Sequence, residues 1–351
     1  MQPSVVVINL DRDTSRLQHM RRQLRRARLP FLRFSAIDGA ALPSALRAYF
    51  DPDCRALSAG EIGCYASHLA ICREIVAGAL QAPTLVLEDD VELPASIAQL
   101  LQRLCAALPP DWDIVRLSYP SKRAALGVAT LGGGFELVRY SQIPVSTGAY
   151  LLSRSGALKF LAPGRRNVPI DHDLRRVWAW NLKTYGVAPP PVSADTLGTS
   201  SIDAMAPGVR SDGARSRRIK RQRLMEGAAR FQYGMRDFGA WRWIAVEILN
   251  IFGRAVPRRT RAILFAWARR ALGWRPNRRI ARPRHPIFKR LAARSLRLMP
   301  SNGGLSAAEG NHATIDDFCA GCERRRGAVC KSGQCARFAR LRRSSEPTRL
   351  E

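Results

Sequence analysis

No stretch of eighteen or so consecutive apolar residues occurs in this 351-residue chain, so a membrane-spanning helix is not expected. Residues 1–9 carry no basic cluster, and the run Val5-Val6-Val7-Ile8 is far shorter than the core of a secretory signal. A cytosolic location, in contact at most with a membrane face, is therefore expected. No internal repeat is visible, which argues against a solenoid. Acidic side chains are scarce: 28 Asp and Glu face 57 Lys and Arg, for a formal net charge of +29. What is present is otherwise ordinary. A hydrophobic share of 46% and a charged share of 24% are those of a soluble globular chain, which argues against wholesale disorder. The length suffices for one large domain or two ordinary ones.

The charge is unevenly spread. Residues 1–200 hold 23 basic and 17 acidic side chains, whereas residues 201–351 hold 34 and 11. The first part reads as a nearly balanced globular domain and the second as the source of the basicity. Cysteines divide in the same way. Cys54, Cys64, Cys72 and Cys105 sit among apolar neighbours and read as reduced, buried thiols, while Cys319, Cys322, Cys330 and Cys335 crowd the end of the chain. The latter spacing suits either a four-thiolate zinc site or a disordered tail with exposed thiols.

Along the first half, strand and helix signals alternate. Residues 4–8 form a β-branched run, after which Leu17, Met20, Leu24 and Ala27 recur at helical spacing. Ser58-Ala59-Gly60-Glu61 has the pattern of a capping box and opens a helix that runs to Gly78. Thr84-Leu85-Val86-Leu87 is apolar on both faces, as in the middle of a parallel sheet covered by helices. Helix signals resume after Pro94, and Ile114–Leu117 and Phe135–Val138 read as further strands. The pattern to about residue 190 predicts an α/β layered domain.

The strand at 84–87 runs directly into Glu88-Asp89-Asp90. Three adjoining carboxylates repel one another and raise each other's pKa unless a cation sits among them. Open α/β sheets bind ligands at the carboxyl ends of their strands. Asp89 and Asp90, with Glu88, are therefore candidates to hold a divalent metal, Mn²⁺ or Mg²⁺, and through it a phosphate-bearing ligand. The plain alternative is an acidic loop, or a cap for the helix after Pro94.

Seven strings then bear a resemblance in fixed order. They are Val7-Ile8-Asn9-Leu10-Asp11-Arg12 with Arg16; Ala36-Ile37-Asp38-Gly39; Leu57 to Cys64 with Ser67-His68; Leu87-Glu88-Asp89-Asp90; Trp112-Asp113-Ile114-Val115; Thr147 to Ser153; and Pro169-Ile170-Asp171-His172-Asp173. The sequence over about residues 4–195 resembles glycosyltransferase family 25, the lipooligosaccharide-type enzymes. That resemblance implies a GT-A-like, nucleotide-binding α/β layered domain. It also implies transfer of a hexose, galactose or glucose, from a UDP-sugar to a lipid-linked oligosaccharide core acceptor. A basic, mostly helical C-terminal extension would follow it.

Within that frame Asp171 and Asp173 are candidate general bases for the acceptor hydroxyl, although an Asp after Pro169 also suits a helix N-cap. Asn9 and Arg16, at the first strand end and first helix turn, are placed to meet base or phosphate, or to serve as cap and surface charge. His68 shares a helix face with Glu61 that either packs on the sheet or lines the donor site. Arg116 stands where the family more often has an aromatic or small residue and receives no role.

The expected organisation is a catalytic domain over 1–195, a basic linker over 196–230, a Trp/Arg-rich helical region over 231–300 and a Cys-containing tail over 301–351. Four of the seven tryptophans fall between 241 and 274, interleaved with arginine. Such a region suits the interface of an anionic membrane surface, or equally a small helical subdomain with Trp inside and Arg outside. Nucleic-acid binding by the basic half is the alternative function. The N-terminal motifs favour the enzyme.

Overall fold

A computed structural model describes residues 2–50, 57–194, 217, 221 and 224–273. The expected linker lies largely outside these residues, as do Cys54, Trp274, residues 274–300 of the helical region, and the whole tail with its four cysteines.

The first strands are β1 (Ser4–Asn9), β2 (Leu32–Ser35), β3 (Thr84–Glu88), β4 (Val91–Glu92), β5 (Ile114–Arg116) and β6 (Ala125–Gly132). They are followed by β7 (Phe135–Tyr140), β8 (Ala149–Leu152), β9 (Thr184–Ala188) and β10 (Ser193–Ala194). Eight form one sheet in the order β2-β1-β3-β8-β5-β9-β7-β6, and β10 pairs with β4. β1 is parallel to β2 and β3, and β5 to β9, but β8 runs antiparallel between β3 and β5. The 84–88 strand thus has one parallel and one antiparallel neighbour. Its apolar run reports that both faces are covered and is blind to the direction of its neighbours.

Val5 and Val7 of β1, with Leu85 and Leu87 of β3, face one core together with helices α1 (Thr14–Arg26) and α4 (Ile97–Ala107). Val6, Ile8 and Val86 face the other, with α3 (Ala59–Ala77) and α5 (Arg154–Phe160). Each such side chain, removed from water, contributes about 1.5–3 kcal/mol before the entropy of ordering is set against it.

α3 begins where the sequence signals it. Ser58 accepts from the Glu61 N–H and the Glu61 carboxylate accepts from the Ser58 N–H, while Gly78 closes the helix with φ 85°. A Cβ on Gly63 would lie 2.4 Å from the Ile37 carbonyl oxygen, so the glycine is what lets the 36–39 loop lie against the helix. Short helices α2 (Ser44–Arg47), α6 (Ile170–Asp173) and α7 (Val177–Trp180) complete the first 194 residues.

Three further helices, α8 (Gly227–Phe238), α9 (Ala240–Ala255) and α10 (Arg258–Leu272), pack on the same sheet. Phe238, Trp243, Val246 and Phe265 join the core that holds Leu126, Leu137 and Val187. The contact is also ionic. Arg139 of β7, fully buried, donates to Asp237 of α8 and, at 3.1 Å, to the Tyr233 hydroxyl, while Lys183 donates to the same Asp237. Residue 195 is therefore not an edge of the hydrophobic core. Among the described residues no helix is long and apolar enough to cross a membrane.

Candidate active site

The parallel strands β1, β2 and β3 end on one rim, at Asn9, Ser35 and Glu88, and the start of β8 meets the same rim because Leu87 pairs with Ala149. A cleft of about 1290 Å³ opens there. Asn9, Arg16, His68, Glu88, Asp89, Asp90 and Asp171, which lie as much as 162 positions apart, all line it.

The three adjoining carboxylates do different things. Asp89 is tied down: its Oδ2 accepts from Asn9 Nδ2 at 2.7 Å and its Oδ1 from Arg16 at 3.3 Å. Burial raises its pKa, and Asn9 and Arg16 partly offset that. Glu88 meets the His68 ring, with Nε2 3.5 Å from Oε1. Burial alone would push the Glu88 carboxyl up, but His68, Thr147 and the Arg116 charge outweigh it and hold the group below its ordinary value. Asp90 has no ion-pair partner among the described residues. Burial, and then the charges of Glu88 and Asp89, push it up to about 6.

His68 is oriented from behind, its Nδ1 lying 2.8 Å from the Tyr150 hydroxyl. Cys64, one turn earlier on the same helix, also faces the cleft. Burial raises its thiol pKa well above the ordinary value, and Glu88, Asp171, Asp90 and Glu61 add to the rise. One trio among the described residues, Cys64, His68 and Glu88, brings its possible ligand atoms within 4.8 Å of one another. Asp89 and Asp90 are not part of it. The oxygens of Glu88 and Asp90 suit a hard divalent cation that completes its shell with water and phosphate oxygens, and the crowding that raises Asp90 is the kind a cation relieves.

The two carboxylates of the 169–173 string diverge. Asp171 lines the cleft, and among the described residues its Oδ1 accepts only from the adjoining His172 N–H, at 2.8 Å. Pro169, not Asp171, occupies the N-cap of α6. Asp173 is 1% exposed and turned inward. It accepts from the Tyr65 hydroxyl at 2.5 Å and from Arg176 at 2.6 Å, with Arg166 at 3.8 Å. Asp173 holds α6 against α3, and Asp171 is the carboxylate open to a substrate.

Several cleft residues carry no signal in the sequence. Lys122, Arg123 and Gln142 come from the segments flanking β6 and β7, and Asn250, Arg254 and Arg261 from α9 and α10. They are brought together by long-range packing, which no local spacing encodes. Arg116 is buried beneath Tyr150, its guanidinium carbon 5.9 Å from the ring centroid, and among the described residues its three nitrogens donate no hydrogen bond.

Residues 2–174 match the family model described as glycosyltransferase family 25 (LPS biosynthesis protein). Among curated proteins, the human protein "Inactive glycosyltransferase 25 family member 3" is 34% identical over 186 residues, covering 48% of this chain and 31% of its own. "Procollagen galactosyltransferase 1" of Danio rerio is 30% identical over 185 residues, covering 48% and 30%. The human "Procollagen galactosyltransferase 2" is 28% identical over 185 residues, covering 48% and 29%. The chain therefore spans about a third of the length of the curated relatives it matches.

Proposed function

Through residues 2–174 the chain belongs to glycosyltransferase family 25, and on that premise we propose that it transfers a hexose from a UDP-sugar to a hydroxyl of a lipid-linked oligosaccharide. The observation that carries the reading is the single cleft in which Glu88, Asp90 and Asp171 stand together at the strand ends, with Asn9 and Arg16 fixed beside them through Asp89. The relatives include proteins named as galactosyltransferases and others named as inactive, so the chemistry rests on this cleft rather than on kinship.

Asp171 is the general base. As the acceptor oxygen bonds to the anomeric carbon, the bond from that carbon to the diphosphate breaks, UDP leaves with the electron pair, and the acceptor proton passes to the Asp171 carboxylate. Asn9 and Arg16 orient the nucleotide at the end of β1. Glu88 and Asp90 would hold Mn²⁺ or Mg²⁺, which supplies charge neutralisation for the departing diphosphate. His68, held by Tyr150, keeps Glu88 ionised and aimed.

The acceptor side faces an anionic membrane surface, the protein acting peripherally at the inner, cytoplasmic face. What supports this is the outward side of α9, where Trp241, Ile244, Ile248 and Ile251 are exposed in helical register, continued by Ile263 and Trp267 of α10. Exposed Arg259 flanks them. Indole rings over acyl chains with guanidinium groups at phosphate depth fit such a surface.

Transfer assays with UDP-galactose and UDP-glucose, with and without Mn²⁺, test the reading. Hexose transfer by the wild-type chain and its loss in Asp171→Asn are expected. No turnover with either donor on any glycan acceptor tried would overturn it.

A further inference from the structure

Besides the rim carboxylates, the cleft is lined by Lys122, Arg123, Arg254 and Arg261, which together form a basic wall. Arg123 is fixed from both sides. Its Nε donates to Gln142 Oε1 at 3.2 Å and its Nη1 to the Asn250 carbonyl at 3.2 Å, so the guanidinium is built into the junction between β6 and α9. Arg261 Nη1 donates to the Gly253 carbonyl at 3.4 Å, which sets it beside Arg254.

None of these four cations has a carboxylate within ion-pair distance among the described residues. The neighbouring acid, Glu247, is engaged by Arg230 at 2.6 Å. Burial lowers the Arg123 pKa and the charges of Arg254, Arg230 and Arg261 lower it further, with Glu247 opposing them. Like charges held together around open space, on backbone that fixes them there, are a standing attraction for an anion.

We propose that this wall is an acceptor subsite that binds a phosphate or carboxylate group carried by the acceptor glycan. The inference rests on the transferase reading and adds the acceptor's chemical class to it. A phosphate could also come from the donor, but two points favour the acceptor. On the proposed function the donor's diphosphate sits at the strand-end rim, beside Arg16 and Asn9, and among the described residues no hydrogen bond or ion pair joins the four wall cations to that rim. Arg254 and Arg261 also lie outside residues 2–174, the stretch matched by a family whose description concerns lipopolysaccharide and whose curated relatives are named for procollagen. The part of the wall that lies outside the shared stretch is Arg254 and Arg261, whereas Lys122 and Arg123 lie within it. Arg254 is exposed and makes no hydrogen bond among the described residues, so replacing it removes charge without removing support.

The test uses the full chain and two probes, a phosphorylated trisaccharide and the same trisaccharide after phosphatase treatment. Binding is followed by calorimetry alongside UDP with Mn²⁺. The wild-type chain is expected to bind the phosphorylated form at least about tenfold more tightly, with a preference that shrinks as salt is raised. Arg254→Glu with Arg261→Glu should bring the two forms to parity, Arg254→Lys with Arg261→Lys should keep most of the preference, and UDP affinity should stay within about twofold throughout. Equal wild-type affinity for the two trisaccharides would overturn the proposal. So would a fall in UDP affinity that matches the loss for the phosphorylated trisaccharide, since that would give the wall to the donor. UDP binding by the wild type is read in the same experiment, so failure of the transferase reading shows as a separate signal.

Discussion

The acidic rim and the basic wall of the cleft are built from different kinds of information. Three of the rim's carboxylates come from one turn of chain, Glu88-Asp89-Asp90, at the end of a strand whose apolar run announces where it stops. The wall is assembled from the flanks of β6 and β7 and from two helices more than 100 residues further on. The rim needs only a strand and its rim position. The wall needs the whole packed arrangement, including the buried Arg139–Asp237 pair that fastens α8, and with it α9, to the sheet. On the proposed reading the donor chemistry belongs to the first and the choice of acceptor to the second.

Four perturbations set the rim against the wall and the helices that carry it. The largest effect is expected at Asp171. Asp171→Asn should lower transfer by about 10²–10⁴-fold, the usual worth of a positioned base, while UDP affinity measured by calorimetry is retained. Next is the fastening of the wall. Asp237→Ala strips the buried Arg139 of its carboxylate and should cost about 3–5 kcal/mol of stability, read by denaturant unfolding. If the cost is small, the helices do not depend on that pair and the wall is a looser structure than described.

A smaller effect is expected on the outward side of α9. Trp241→Asp with Ile248→Asp should reduce co-sedimentation with anionic vesicles by about tenfold, a loss of roughly 1.4 kcal/mol, without lowering the melting temperature. The smallest concerns Asp90. Its folded-state pKa, about 6, lies above the ordinary 3.8, so folding takes up a proton between those values. The metal-free chain is then most stable below the window and loses stability as pH rises through it. Asp90→Asn should abolish that loss and stabilise the metal-free chain at pH 7 by roughly 1–2 kcal/mol, after allowance for its partial exposure. Melting curves at pH 5 and pH 7.5 give the comparison.

Much of the α/β half was legible in advance because its signals are local. The Ser58–Glu61 capping box, the Gly78 stop and the apolar run of β3 each sit within a few residues of the feature they specify. The direction of β8 was not legible, since a strand covered on both faces looks the same in either direction. Asp171 and Asp173 are indistinguishable in the string Asp-His-Asp. Only the fold shows that one meets open space and the other meets Tyr65 and Arg176. The Trp- and Arg-rich stretch posed two readings, core or interface, and α9 has a buried side and an exposed one. Trp243 and Val246 face inward and Trp241, Ile244 and Ile248 face out. A helix apolar on both sides carries no periodicity that tells which side is covered.

Glu88 and Asp90 are proposed to engage a nucleotide diphosphate through a divalent ion. Calorimetric titration of UDP into the chain, with Mn²⁺ and then with chelator, and repeated on Asp90→Ala, tests it most directly. Binding that requires Mn²⁺ and is lost in the variant is the predicted result. UDP bound equally well with chelator present and in Asp90→Ala would contradict it.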